Sequence, residues 1–274
     1  MSTTMTPKQE NEEKAVKERI SKIKNIILVL SGKGGVGKST VAVNIAAELA
    51  RTGSRVGLLD VDIHGPSVPG MFGLENERII SDGKIMLPVE FISNLTVMSI
   101  GFLLHDRNDA VIWRGPMKYG VIRQFIIDVE WGLLDYLVVD CPPGTGDEPL
   151  SIAQLLGEKA SAIVVTTPQR VSIDDVRKSI QFCRILDINI LGIIENMSGF
   201  VCPSCGKTSH IFDNGGGEFL ASEFNERFLG GIPIEPDVVQ ACDSGKPFVL
   251  FDNESITAEA FRKIAETIKT ENNE

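Results

Sequence analysis

The 274-residue chain, 43% hydrophobic and 23% charged, has an ordinary globular composition and enough material for one large α/β domain or at most two. Its formal net charge of −10 and pI near 4.9 oppose non-specific nucleic-acid binding, since a phosphate-binding surface would have to overcome general repulsion. No apolar run reaches bilayer-spanning length and the opening residues lack a secretory or transit-peptide pattern, so we expect a cytoplasmic protein with no membrane and no nucleic-acid partner.

In chain order, residues 1–23 read as a polar tail or frayed helix whose apolar contacts are Ala15, Val16 and Ile20. Residues 24–274 read as a single domain. The apolar, β-branched run at 26–30 predicts a buried parallel strand, and the Ala-rich run at 41–50 predicts a helix. Between them lies GKGGVGKST, residues 32–40. Strand, glycine loop and helix in that order are what a phosphate-binding loop requires. Gly32, Gly34, Gly35 and Gly37, with Val36 and Thr40 in the same stretch, let backbone N–H groups converge on phosphate oxygens. The helix N-terminus adds a favourable dipole. Lys38 reaches the terminal phosphates and the Ser39 hydroxyl ligates Mg²⁺. Lys33 is a second loop lysine, either solvated or held beside bound phosphates to stabilise a transition state.

Further strands are predicted at 55–60, 95–100, 136–140, 162–166 and 188–195, with a short one ending at 230–232. Residues 62–69, rich in glycine and proline, continue neither element beside them. Helices are predicted at 116–129, 148–156, 173–186, 217–225 and 236–242. This alternation implies right-handed crossovers and a doubly wound, mostly parallel α/β sheet with helices on both faces. The closing segment, 255–270, aligns Ile256, Ala260, Phe261, Ile264 and Ile268 on one helical face. The acids around it disfavour an anionic bilayer, so a helix packed on the domain is expected.

Ligands of open α/β sheets sit at the carboxyl ends of strands, which places Asp140 near the phosphates as a Mg²⁺-holding acid. The following text, CPPGTGD at 141–147, fits a switch loop, and Asp147 is also a candidate N-cap. Asp60 and Asp62, just after the second strand, are placed to bind Mg²⁺ through its hydration shell and to polarise an attacking water. The Asn196 amide has the donor and acceptor to pair with an adenine edge.

The second strong feature is CPSCG at 202–206. Five cysteines in a reducing compartment argue for metal or redox chemistry rather than disulfides. A turn brings Cys202 and Cys205 to one side, where both thiolates can ligate one metal centre. One chain supplies two of four ligands, and the simplest completion is the same pair from a second chain across a two-fold axis. A redox dithiol, zinc and an iron–sulfur cluster all stay open on the residues alone, with His210 a weak third-ligand candidate.

The loop with Lys33 resembles the deviant Walker A ATPases, the class containing ParA, MinD, nitrogenase iron protein and the arsenical-pump ATPase. That resemblance implies an ATP-sandwich homodimer in which Lys33 acts across the interface. It also implies that Asp62 orients the hydrolytic water, that Asp60 supports a Mg²⁺-bound water, and that Asn196 contacts adenine beside residues 233–237. The joint set GKGGVGKST, DVDIHGPSVP at 60–69, WRGPM at 113–117, DCPPGTGD at 140–147, ENM at 195–197 and CPSCG closely resembles the Mrp/ApbC family. These are ATP-dependent iron–sulfur cluster carriers related to the eukaryotic Nbp scaffold ATPases, and the likeness runs from about residue 24 to about 251.

It implies slow ATP hydrolysis with Mg²⁺, and a labile 4Fe–4S cluster bridging two subunits through Cys202 and Cys205 of each. Implied partners are recipient apoproteins and a cluster-assembly scaffold. Two departures qualify the match. The first two dozen residues carry neither the extra N-terminal domain of many bacterial relatives nor the four-cysteine site of some eukaryotic ones. The WRGPM text matches the family, but no chemical role attaches to Arg114, an interface or phosphate contact on one reading and structural on the other. Rival functions are a zinc-bridged targeting ATPase for membrane-protein tails and a ParA/MinD-like positioning ATPase. The first lacks a long Met-rich helix here, and the acidic balance opposes the second.

Overall fold

A computed structural model describes residues 7–63, 65–103, 115–251 and 254–271. The chain opens with α1 (Pro7–Ser21), β1 (Ile23–Ser31), α2 (Lys38–Arg51), β2 (Val56–Asp60) and the single turn α3 (Val68–Met71). Four short strands follow, β3 (Ile80–Ser81), β4 (Met86–Leu87), β5 (Val89–Ile92) and β6 (Leu95–Ser99), then α4 (Gly115–Ile127) and β7 (Leu134–Asp140). Next come α5 (Asp147–Leu156), β8 (Ala160–Thr166), α6 (Arg170–Ile185), β9 (Asn189–Val201) and β10 (Thr208–Ser209). The described chain closes with α7 (Gly216–Phe224), β11 (Phe228–Ile234), α8 (Pro236–Asp243), α9 (Phe248–Phe251) and α10 (Ile256–Glu271).

Nine strands form one sheet in the order β10-β9-β8-β1-β7-β2-β6-β5, with β11 beside β9. Pairing is parallel except at the β5/β6 and β9/β10 hairpins. The crossover from β1 through α2 runs toward β2, while that from β7 through α5 runs the opposite way to β8. Right-handed crossovers in opposite directions put their helices on opposite faces, as the alternation of elements predicts. The central strands are apolar and buried on both sides; Leu28, Val29, Leu58, Leu59, Val138 and Val139 have no exposed surface. The register sets Asp60 directly beside Asp140 at the carboxyl ends of β2 and β7.

The structure refines two expectations and corrects two others. The opening residues form a helix seated on the core, with Val16 and Ile20 buried. Arg19 Nε donates to the Ile127 carbonyl at 2.8 Å, and Lys159 Nζ donates to the Ile20 carbonyl at 2.8 Å, so α1 is tied at both faces. The stretch from Asp62 continues neither β2 nor another long element, as expected, though Val68 and Pro69 start the separate turn α3, with proline in the first turn where it is tolerated. Asp147 is the first residue of α5, and Gly146 is its N-cap. On α10, Ile256 faces solvent at 53% exposure, while Phe261, Ile264 and Ile268 are buried against β11 and α2. The packed-helix reading of this segment holds with a narrower apolar face. No described helix is long and apolar enough to cross a membrane.

Asp135, at the start of β7, ties three strands together. It accepts from Lys24 Nζ at 2.8 Å and from the Arg55 backbone N–H at 2.8 Å. The Lys24 bond first, then the Arg55 backbone and guanidinium, hold its carboxyl well below the usual carboxylate range. A depressed acid contributes stability that is present above about pH 4 and lost as pH falls further. Asp135→Asn should therefore cost about 0.5–1 kcal/mol at pH 7 after allowing for solvent screening. In urea titrations the gap from the parent chain should narrow steadily between pH 4 and pH 2.

Candidate nucleotide and metal sites

The glycine loop leaves the end of β1 and turns into α2 with Gly35 and Gly37 in the left-handed region, at φ 79° and 78°. Gly37 is the N-cap of α2 and makes no side-chain cap, so the first N–H groups of the helix face the loop's concavity. Two neighbours hold the loop in place. A Cβ on Gly32 would overlap the backbone of Asp175 in α6, and one on Gly37 would overlap the amide of Asn196 in β9. Val36 is buried beneath the loop, and Ser31 Oγ donates to the Lys33 carbonyl at 2.9 Å. Lys33, Gly34, Gly35, Gly37, Lys38, Ser39 and Thr40 line a cleft of about 230 Å³ that Asp62, Ser67, Met71 and Pro143 close from the other side.

At the floor of the cleft Lys38, only 6% exposed, reaches Asp140 Oδ1 at 2.5 Å and lies 3.9 Å from Asp62 Oδ2. Burial opposes its charge, yet Asp140 and then Asp62 hold the ammonium above its ordinary pKa. Burial also pushes the Asp140 carboxyl up, against the pull of Lys38. Asp140 Oδ2 is buried and has no hydrogen-bond partner. A hard cation coordinated by carboxylate and water fits that free oxygen, with the Ser39 hydroxyl on the same cleft wall. Asp60 is fully buried; its Oδ2 accepts from Ser99 Oγ at 2.8 Å and its Oδ1 from the Asp62 backbone N–H at 3.1 Å. Burial, then the neighbouring Asp140, push its carboxyl up to about 8.

Asn196 is buried, and its Nδ2 donates to the Val36 carbonyl at 2.9 Å. The amide therefore grips the phosphate loop from β9. Sequence reasoning missed this contact, as it missed Ser99 under Asp60 and Asp175 over Gly32. Each depends on two distant segments meeting, and none leaves a local signal.

Cys202 and Cys205 sit in a turn at the far end of β9. The turn is closed by Gly206 N–H to the Cys202 carbonyl at 2.8 Å and Cys202 N–H to the Lys207 carbonyl at 3.0 Å. Backbone N–H groups of Ser204, then Cys205, hold the Cys202 thiol below its ordinary pKa, the direction that favours a thiolate ligand. Cys205 is exposed. Among the described residues no set of three His, Cys, Asp or Glu side chains stands together as a metal site, so His210 does not complete one. Cys141, Cys183 and Cys242 are all pushed up by burial and take no part. Trp113, Arg114 and His64 lie outside the described residues.

Comparison with known proteins places these features in context. The family model described as ParA, NUBPL iron-transfer P-loop NTPase, matches residues 22–269. An iron–sulfur cluster carrier protein of Methanocaldococcus jannaschii is 52% identical over 253 residues, covering 92% of this chain and 87% of the relative. The cytosolic Fe-S cluster assembly factor CFD1 of Saccharomyces cerevisiae is 50% identical over 90% of this chain and 88% of its own. Among solved structures, a nucleotide-binding protein of Archaeoglobus fulgidus in complex with ADP superposes with a TM-score of 0.76 at 40% identity, over 86% of this chain and 92% of that one. The Aquifex aeolicus MinD cell division protein, 23% identical with a TM-score of 0.64 over 90% of this chain and 97% of its own, shares the fold.

The overlap at Gly32 supplies a test. Gly32→Ala drives a methyl into the α6 backbone, where no side-chain rotation relieves it, so loop and helix must part. Affinity for a fluorescent ADP should fall about tenfold or more, equivalent to about 1.4 kcal/mol. Unchanged affinity would mean that α6 yields without disturbing the loop.

Proposed function

The chain belongs to the NUBPL iron-transfer family of P-loop NTPases, and on that premise we propose that it is an ATP-hydrolysing iron–sulfur cluster carrier working as a homodimer in the cytoplasm. One observation carries the reading. A phosphate loop with a buried, unpartnered carboxylate oxygen and an incomplete pair of ligating thiols occur in the same domain, joined by one strand.

In this reading the loop amides and Lys38 bind the phosphates of ATP, while Ser39 and Asp140 Oδ2 would hold Mg²⁺, with Asp60 as a supporting acid. Bound there, Mg²⁺ neutralises charge on the phosphate oxygens. Lys38 would shift from Asp140 Oδ1 toward the terminal phosphate as the nucleotide enters, drawn by its negative charge. Asp62 accepts a hydrogen bond from the attacking water and fixes it in line with the departing oxygen. Positioning and charge stabilisation supply most of the catalysis in phosphoryl transfer. Lys33 of each protomer reaches the phosphates bound by its partner, which makes turnover depend on dimer geometry. Asn196 orients the loop and borders the adenine side of the cleft.

Cys202 and Cys205 from two protomers hold a bridging 4Fe–4S cluster as cargo. The exposure of Cys205 leaves that cargo open to an incoming ligand of an apoprotein, and a cluster-assembly scaffold loads it by the same face. The test is anaerobic reconstitution with iron and sulfide, followed by metal analysis, absorption spectroscopy and transfer to an apo-acceptor. Cys202→Ser and Cys205→Ser should each abolish the cluster, while ATP affinity measured on cluster-free protein stays within about twofold of the parent. Asp62→Ala should bind ATP normally and hydrolyse it about 10²-fold or more slowly. Retention of zinc alone, with nothing passed to the acceptor, would overturn the carrier reading.

A further inference from the structure

Strand β9 touches both functional sites. Its middle holds the phosphate loop through Asn196, and it ends at Val201, directly before Cys202. Between those points it is not a regular strand. Met197 adopts φ 59°, a left-handed conformation that is a genuine outlier for a bulky side chain. Pairing with β11 slips there as well, since Ile232 lies opposite Asn196 but Ile234 lies opposite Phe200. The strand therefore carries a bulge from Met197 to Gly199, placed between the nucleotide loop and the cysteine turn.

Named contacts hold this bulge in its strained form. On the loop side, the Met197 methyl lies under Gly37, 3.9 Å from the position of a Cβ there. On the other side, Ser198 Oγ donates to Glu195 Oε1 at 2.5 Å, and the Gly217 N–H at the start of α7 donates to Glu195 Oε2 at 2.7 Å. Ser198 has room because Gly231 on β11 lacks a side chain; a Cβ there would stand 2.6 Å from Ser198 Oγ. The strain of a left-handed methionine and the gain from one hydrogen bond are of the same order. A change in the hold of Asn196 on the Val36 carbonyl is thus of the size that can shift the backbone preference of the bulge. A bulge re-aims the strand beyond it, and here what lies beyond is Cys202.

We propose that the Met197–Gly199 bulge of β9 is the element through which the state of the phosphate loop sets the exposure of the cysteine pair. This rests on the carrier reading above and adds the route by which nucleotide controls cargo. Movement of the loop around a phosphate changes its hold on Asn196 and Met197, the bulge relaxes or tightens, and the turn bearing Cys202 and Cys205 is re-aimed. The coupling is reciprocal, so ligation at the cysteines alters nucleotide affinity by the same factor.

The experiment uses the full chain and reads N-ethylmaleimide modification of Cys202 and Cys205 by mass spectrometry, with and without Mg-ATP. Mg-ATP should change the parent chain's rate about fivefold or more, the lower end of ordinary coupling between sites. Met197→Gly, which relaxes the left-handed residue, and Gly231→Ala, which displaces Ser198 from β11, should each cut that change below about twofold at saturating ATP. A purely structural role would alter both rates alike and leave their ratio intact. Either variant keeping the parent ratio, or a parent chain with no ATP-dependent change, overturns the inference. Failure of the carrier reading shows separately, as an absence of bound ATP or of reconstituted iron in the parent chain.

Discussion

Lys38 is an ammonium almost wholly removed from water, in contact with Asp140 and within reach of Asp62. A buried charge is tolerable only when paired, and removing one partner of such a pair typically costs about 3–5 kcal/mol. The pairing explains much of the architecture around it. Asp140 must lie at the carboxyl end of β7, next to the strand that feeds the loop, and Asp60 must come beside it in register from β2. Asp140 and Asp62 share one lysine, which leaves the cleft floor short of positive charge. That deficit is what a divalent cation and a phosphate chain can fill together, so the site's electrostatics are completed by its ligands.

The second site is built on the opposite principle. The cysteine turn at the end of β9 is exposed and held by backbone hydrogen bonds, without a packed shell. The Cys202 thiol gains ligand character from two backbone N–H donors, whereas Cys141 and Cys183 are kept inert by burial. Tight, buried chemistry at the nucleotide and loose, open chemistry at the thiols suit a protein that retains one ligand and hands on another.

Much of this was legible in the residues. The strand, glycine loop and Ala-rich helix at 26–50 have unmistakable local patterns, and so do the strand ending in Asp140 and the pair at 202 and 205. What escaped was of two kinds. Short elements such as β3, β4 and β10 carry too few residues for any periodicity, and in the polar sequence of α1 the buried apolar residues among those described are Val16 and Ile20. The contacts of Asn196 with Val36, Ser99 with Asp60 and Asp175 with Gly32 bring remote segments together, and composition cannot encode such a meeting. The Asn196 amide shows the donor–acceptor chemistry suited to a base in the sequence, and the structure adds a contact of its N–H with the loop. Residue type makes Asp147 a candidate cap, but the backbone places Gly146 there.

Helix α2, which follows the loop, is buried along nearly its whole length, with Val41 to Ala50 all shielded. It packs on β1, β2, β7 and α10 through alanines and β-branched residues that leave little room to slide. The helix therefore acts as a fixed fulcrum. Whatever work nucleotide binding does on this molecule cannot be absorbed by tilting α2, and must leave through the segments that border its N-terminus: the stretch after Asp62, the proline-glycine loop before α5, and β9.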